Sequence, residues 1–100
     1  MRRPLALRRS WLFLPGAEQS AMTAAGKSGA DVLIQELEDF VPPSRREQAR
    51  KLTADILTGW KKAGVLAAVR INPLHGPDGA RDLEVAMRGG AEIVLLPKTR

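Results

Sequence analysis

The sequence contains no cysteine and no tyrosine, one histidine, and only two tryptophans and two phenylalanines in 100 residues. The absence of thiols excludes a disulfide framework, a zinc site built on thiolates and a cysteine nucleophile. It is in keeping with a reducing cytoplasm, where the chain is expected to reside. Trp11 and Trp60 read as core, so no interleaved aromatics remain to stack on bases. No helix-turn-helix or zinc-finger spacing occurs either, and a nucleic-acid role has little support. No apolar run approaches the roughly 20 residues that span a bilayer. No linker, low-complexity segment or close repeat interrupts the chain, which reads as a single domain over residues 1–100.

Hydrophobic residues make up 44% of the chain, enough to form a core. The net charge is +5. Arg2, Arg3, Arg8 and Arg9 lie in the first nine positions, and the other basic residues nearly balance the acidic ones. The basic charge is therefore mainly a property of the tail at 1–9, read as a solvated end. Arg8-Arg9-Ser10-Trp11-Leu12-Phe13-Leu14 resembles a twin-arginine export signal. Its apolar part stops at Leu14 before Pro15-Gly16, short of the roughly 7–15 residues such a signal needs. The stretch reads instead as a buried strand with a basic lead-in.

Four apolar runs of strand length stand out: Trp11–Leu14, Val32–Leu37, Leu66–Ile71 and Ile93–Leu96. Stretches with helical marks separate them, and this alternation predicts βαβ units on a parallel sheet. The first helix is predicted over about Glu18–Lys27, with Ala21, Met22 and Ala25 inward and Gly29 as its stop. The second follows Pro42-Pro43, with Ser44 as N-cap and Glu47 completing a capping box. Ala49, Leu52, Ile56, Trp60 and Ala63 form its apolar face, and Gly64 its end. The third starts near Asp78 or Gly79, buries Leu83 and Met87, and stops at Gly89-Gly90. Gly76-Pro77-Asp78-Gly79 lacks the spacing and Lys-Ser/Thr of a phosphate-binding loop and reads as a turn.

In parallel α/β folds, chemistry gathers beyond the C-terminal ends of the strands. The first three runs end here at Pro15-Gly16, Glu36-Leu37-Glu38-Asp39 and Arg70-Ile71-Asn72-Pro73, and the fourth at Pro97-Lys98. Side chains alternate along a strand. Turning Val69 and Ile71 under the helices sends Arg70 and Asn72 to the opposite, barrel-interior face. The same parity groups Ile34, Glu36 and Glu38, opposite Leu33, Leu37 and Asp39. Two carboxylates and a guanidinium then converge at one rim. Arg70 offers a fork that matches a carboxylate or acyl group, and Glu36 and Glu38 can hold magnesium directly or through its waters. An internal ion-pair network accounts for the same three residues equally well. His75 falls in the loop after the third strand and reads as an exposed loop residue. Lys98 has no visible activating partner in the sequence.

Arg9-Ser10-Trp11-Leu12-Phe13-Leu14-Pro15-Gly16, Gly29-Ala30-Asp31-Val32-Leu33-Ile34, Leu37-Glu38-Asp39, Val69-Arg70-Ile71-Asn72-Pro73 and Leu96-Pro97-Lys98 occur in that order. Together they resemble the N-terminal portion of the HpcH/HpaI aldolase and citrate lyase β-subunit family. The resemblance implies the N-terminal half, about (βα)4, of a TIM-type parallel barrel. It implies a carbon–carbon lyase or aldolase acting on 2-oxo or 3-hydroxy acids, or their CoA thioesters, through a magnesium-stabilised enolate. Arg70 is then the catalytic, substrate-holding arginine, with Asn72, Pro15 and Gly16 in the substrate site. Glu36, Glu38 and Asp39 lie beside the metal, commonly through water, and the direct ligands are expected beyond residue 100. The first helix offers Ser20 and Ala24 where CoA-using members often place basic residues.

A complete barrel of this type takes about 250 residues. A half leaves two open sheet edges and an uncovered inner face, so the chain is expected to form a homo-oligomer or to join a missing C-terminal half. The sequence leaves open whether the chain is a lyase polypeptide, incomplete as a catalyst on its own, or a non-catalytic half-barrel assembly partner.

Overall fold

The computed structural model describes residues 11–38 and 41–97. Each apolar run contains a strand: β1 Trp11–Pro15, β2 Val32–Glu36, β3 Leu66–Arg70 and β4 Ile93–Leu95. Between them lie α1 Gln19–Ala25, α2 Arg46–Lys62, entered through a 3-10 turn at Pro43–Arg45, and α3 Pro77–Arg88. Neighbouring parallel strands need a crossover, and here a helix supplies each one. The strands are all parallel and lie in chain order, β1-β2-β3-β4. This is the N-terminal half of a TIM-type barrel, as the sequence predicts.

Strand alternation divides the apolar residues as expected. Leu33, Leu37, Ala67, Val69 and Ile71 join the core beneath the helices. Val32, Ile34 and Ala68 form a separate cluster on the other face. Trp60 anchors the helical layer: its ring is buried and its Nε1 donates to the Met22 carbonyl at 2.8 Å, tying α2 to α1. Gln35, fully buried on the helix side, donates to the carbonyls of Gly16 and Ala49 and accepts from Thr53 Oγ1. These bonds satisfy its amide without water.

Several local expectations are corrected. Ser44 is not the cap of α2: it lies inside the 3-10 turn, Arg45 occupies the N-cap, and no side chain caps the helix. Glu47 does not reach back to close a capping box; it pairs with Arg50 and Arg81. Gly76–Gly79 is not an isolated turn but the entry to α3, with Gly76 as N-cap and Pro77 in the first turn, where a missing N–H costs nothing. Met87 is 66% exposed instead of buried. The inward residues of α3 are Gly79, Asp82 and Ala86, because an ion pair at Asp82 sets the rotation of the helix. Ala21 and Ala63 also face outward.

The inner face is less open than half a barrel suggests. Val32, Ile34 and Ala68 are fully buried, with Leu66, Ile93 and Leu95 packed against them. Against the expectation of a buried first strand with Trp11 in the core, apolar exposure sits on edge strand β1, at Trp11, Leu12 and Phe13, and at Leu74 and Leu96 in the segments after β3 and β4. No described helix is long and apolar enough to cross a membrane.

Candidate functional site

Sheet register builds the site. Pro15 pairs with Glu36, Glu36 with Arg70, and Arg70 with Leu95, so one row crosses the sheet at the C-terminal ends of all four strands. Glu36 and Arg70 are thereby neighbours on the face away from the helices. The Arg70 Nη1 lies 3.4 Å from Glu36 Oε2, and its Nη2 lies 3.6 Å from Glu38 Oε1. The guanidinium carbon sits 5.7 Å from the centre of the Phe13 ring, within cation–π range. The expected convergence of Glu36, Glu38 and Arg70 at a single mouth is what the structure contains.

Both ion pairs are longer than the roughly 2.7–2.9 Å of a charge-assisted hydrogen bond. Glu36 is fully buried, and its Oε1 accepts from the Glu38 backbone N–H at 2.5 Å. The buried Glu38 Oε1 makes no hydrogen bond among the described residues. The cluster holds two carboxylates for one described guanidinium, in a half-closed place at the end of a sheet. An acidic oxygen such as Glu38 Oε1 suits a cation, bound water or a substrate donor.

The other expected site residues divide. Pro15 and Gly16 stand beside this row: Gly16 N–H donates to the Glu36 carbonyl at 2.9 Å. A Cβ on Gly16 would lie 2.5 Å from that carbonyl, so glycine permits the close approach of the two strand ends. Asn72 does not join Arg70 on the inner face. Its Nδ2 donates to Asp82 Oδ2 at 2.6 Å and to the Leu37 carbonyl at 2.9 Å, leaving no amide proton for a substrate. The parity rule fails there because β3 ends at Arg70, and beyond it Asp82 decides the direction of the side chain. Asp39 and Lys98 lie outside the described residues. His75 is exposed, as expected, at the wall of a cleft of about 430 Å³ that also touches Glu38, Arg46 and Asn72.

Sequence reasoning missed a second charged cluster beneath the rim. Arg50 of α2 donates through Nε to Asp82 Oδ1 at 2.7 Å and through Nη2 to Asp78 Oδ1 at 2.5 Å, both on α3. Arg46 adds a 2.8 Å bond to Asp78 Oδ2. Hydrogen bonds from Arg50 hold the Asp78 carboxyl below its ordinary range, outweighing partial burial. Burial alone would lower the pKa of Arg50, but bonds to Asp78, Asp82 and Glu47 outweigh it and hold the guanidinium charged. A signal was present: Arg46 and Arg50 share one face of α2 by i,i+4 spacing, and Asp78 and Asp82 share one face of α3.

Comparison with known proteins places the whole arrangement. The HpcH/HpaI aldolase/citrate lyase family profile matches residues 9–100. The citrate lyase subunit beta of Escherichia coli strain K12 is 38% identical over 92 residues, which is 92% of this chain and 30% of that protein. The L-malyl-CoA/beta-methylmalyl-CoA lyase of Rhodobacter capsulatus is 32% identical over 95% of this chain and 31% of its own length. A solved citrate lyase beta subunit from Mycobacterium tuberculosis, complexed with oxaloacetate and magnesium, superposes with a TM-score of 0.69 at 34% identity. That match covers 89% of this chain and 38% of the solved one. The chain thus spans about a third of the curated relatives it matches, and it belongs to the HpcH/HpaI aldolase/citrate lyase family.

Proposed function

We propose that the chain supplies the acidic rim and the anion-holding arginine of a carbon–carbon lyase acting on 2-oxo or 3-hydroxy acids or their CoA thioesters. The observation that carries this reading is the row Pro15–Glu36–Arg70, with Glu38 closing on Arg70 from the end of β2. Arg70 is the group that holds a substrate carboxylate or acyl oxygen, since its guanidinium is a planar fork standing at the strand mouth beside Glu36 and Glu38. Phe13 stands within cation–π range of the guanidinium. Pro15 and Gly16 form the neighbouring wall, and the family resemblance adds Asp39, outside the described residues, to the acidic group.

The donor chemistry fits magnesium. Glu38 Oε1 is a hard oxygen, buried and without a hydrogen bond among the described residues, and magnesium takes one or two carboxylates while keeping its waters. The family resemblance assigns Glu36, Glu38 and Asp39 a water-mediated role beside the metal. When bound, magnesium supplies positive charge for the electron density that builds on a carbonyl oxygen as the carbon–carbon bond breaks. The relatives named above, a citrate lyase subunit and a malyl-CoA lyase, support the substrate class.

Titration calorimetry of the 100-residue chain with oxaloacetate, with and without magnesium, tests the reading. Saturable binding is expected, strengthened by magnesium and weakened at least about tenfold by Arg70→Ala. Equal binding by the variant would remove the proposal. Turnover by this chain alone is not expected, and a magnesium-dependent cleavage assay checks that.

The exposed apolar residues on β1 favour a second, compatible reading in which the chain also pairs with other strands, in a homo-oligomer or with a C-terminal half-barrel. A clean monomer by size-exclusion chromatography, unfolding cooperatively, would argue against it.

A further inference from the structure

The charged cluster beneath the helices and the rim above the sheet are joined by one unbroken line of hydrogen bonds. It begins at Arg50, which clamps Asp82 Oδ1. Oδ2 of the same carboxylate accepts from both the backbone N–H and the Nδ2 of Asn72, at 2.9 and 2.6 Å. The other Nδ2 proton goes to the Leu37 carbonyl at 2.9 Å, crossing from the loop after β3 to the end of β2. That carbonyl belongs to the peptide whose N–H is Glu38, and this N–H donates to Glu36 Oε1 at 2.5 Å. Glu36 in turn faces Arg70.

The Leu37–Glu38 peptide is therefore gripped at both ends. A carbonyl that accepts a hydrogen bond polarises its own amide, making the N–H a stronger donor. The bond to Glu36 is the beneficiary. Asp82 and Asn72 are both buried, at 0% and 3% exposure, so water does not compete for these bonds. The line runs from the Arg50 cation through the Asp82 anion and the neutral amides to the Glu36 anion and the Arg70 cation, so a carboxylate at each end of the amides is paired with an arginine.

We infer that Asn72, held by Asp82 and Arg50, is a positioning residue: through the Leu37–Glu38 peptide it sets the direction of the Glu36 carboxylate and so of the Arg70 guanidinium. The inference rests on the reading of the rim as an anion site, but its geometry can be tested without any ligand. The readout is the Glu38 backbone amide in 15N–1H spectra of the 100-residue chain. In Asn72→Ala, that amide proton is expected to move upfield and its hydrogen exchange to accelerate at least about tenfold, as local protection is lost. Ile56→Val, which removes one buried methylene from α2, serves as the control and should leave the Glu38 amide in place. An unchanged Glu38 amide in Asn72→Ala, or an equal response to Ile56→Val, overturns the inference. Should Asn72→Ala fail to fold, Asp82→Asn keeps an acceptor while removing the charge. A smaller upfield move is expected there, and an unmoved Glu38 amide again overturns the inference. Oxaloacetate binding then supplies the functional arm. The losses caused by Asn72→Ala and Arg70→Lys should be less than multiplicative when combined, whereas independent structural damage multiplies. A chain that shifts as expected in the spectra but binds no oxaloacetate refutes the proposed function and leaves the positioning geometry standing.

Discussion

Two acid–base clusters lie on opposite faces of the same strand ends, and they are built to different standards. Beneath the helices, Arg50, Asp78 and Asp82 meet at 2.5–2.7 Å. At the rim, Arg70 stands 3.4 and 3.6 Å from Glu36 and Glu38, and the buried Glu38 Oε1 makes no hydrogen bond among the described residues. Short charge-assisted contacts lock side chains in place, whereas longer ones can rearrange around a bound ion or anion. The difference in contact length supports the proposed reading of the lower cluster as scaffold and of the rim as site.

The contrast can be broken experimentally, and the largest effect should come from the closed cluster. Asp82→Ala leaves Arg50 and the Asn72 amide without their main buried partner and is expected to cost about 3–5 kcal/mol, measured by urea denaturation. A cost near zero would mean that the lower cluster is not structural. Gly79→Ala comes next. An added Cβ would lie within 3 Å of the Pro73 and Asn72 carbonyl oxygens, which are backbone and cannot swing away. Forcing α3 off that loop should cost about 1–3 kcal/mol. The direct comparison is Arg50→Gln against Arg70→Gln. The first loses several hydrogen bonds to carboxylates and should be the less stable by about 1–3 kcal/mol, while only the second should weaken oxaloacetate binding. A reversed order would erase the distinction between the clusters.

The smallest effect is pH-dependent. The Asp78 carboxyl lies below its ordinary value of 3.8, first because Arg50 hydrogen-bonds its charged form. Its contribution is complete above the unfolded value and disappears as pH falls through the lower folded one. Asp78→Asn should therefore be less stable than the parent at neutral pH, and the gap should narrow below about pH 4, near the unfolded carboxylate value. Urea midpoints collected from pH 7 down to pH 2 test this.

Much of the fold was legible along the chain. Four apolar runs of strand length, separated by helical spacings, predict the parallel order, and alternation assigns Val69 and Ile71 to one face and Arg70 to the other. Glu36 and Arg70 could be placed together because register in a parallel sheet follows from strand ends of similar depth. Reading failed where a side chain left regular structure or answered to a partner far away in sequence. Asn72 sits past the end of β3, where period-two alternation has no force. Met87 has the spacing of a buried residue, yet the Arg50–Asp82 pair rotates α3 and turns it outward. Ser44 is a good cap by type, but the two prolines before it lead into a 3-10 turn that moves the helix start past it.

By itself, then, the order of residues determined the class of fold, the strands and the identity of the rim, because hydrophobic period and strand-end chemistry are local properties of the chain. Only the tertiary structure decided which charges close on one another and which stay loosely paired. Those choices depend on differences of about an ångström in the separation of groups far apart in sequence, such as Arg50 and Asp82 at 2.7 Å, which packing sets and spacing along the chain does not.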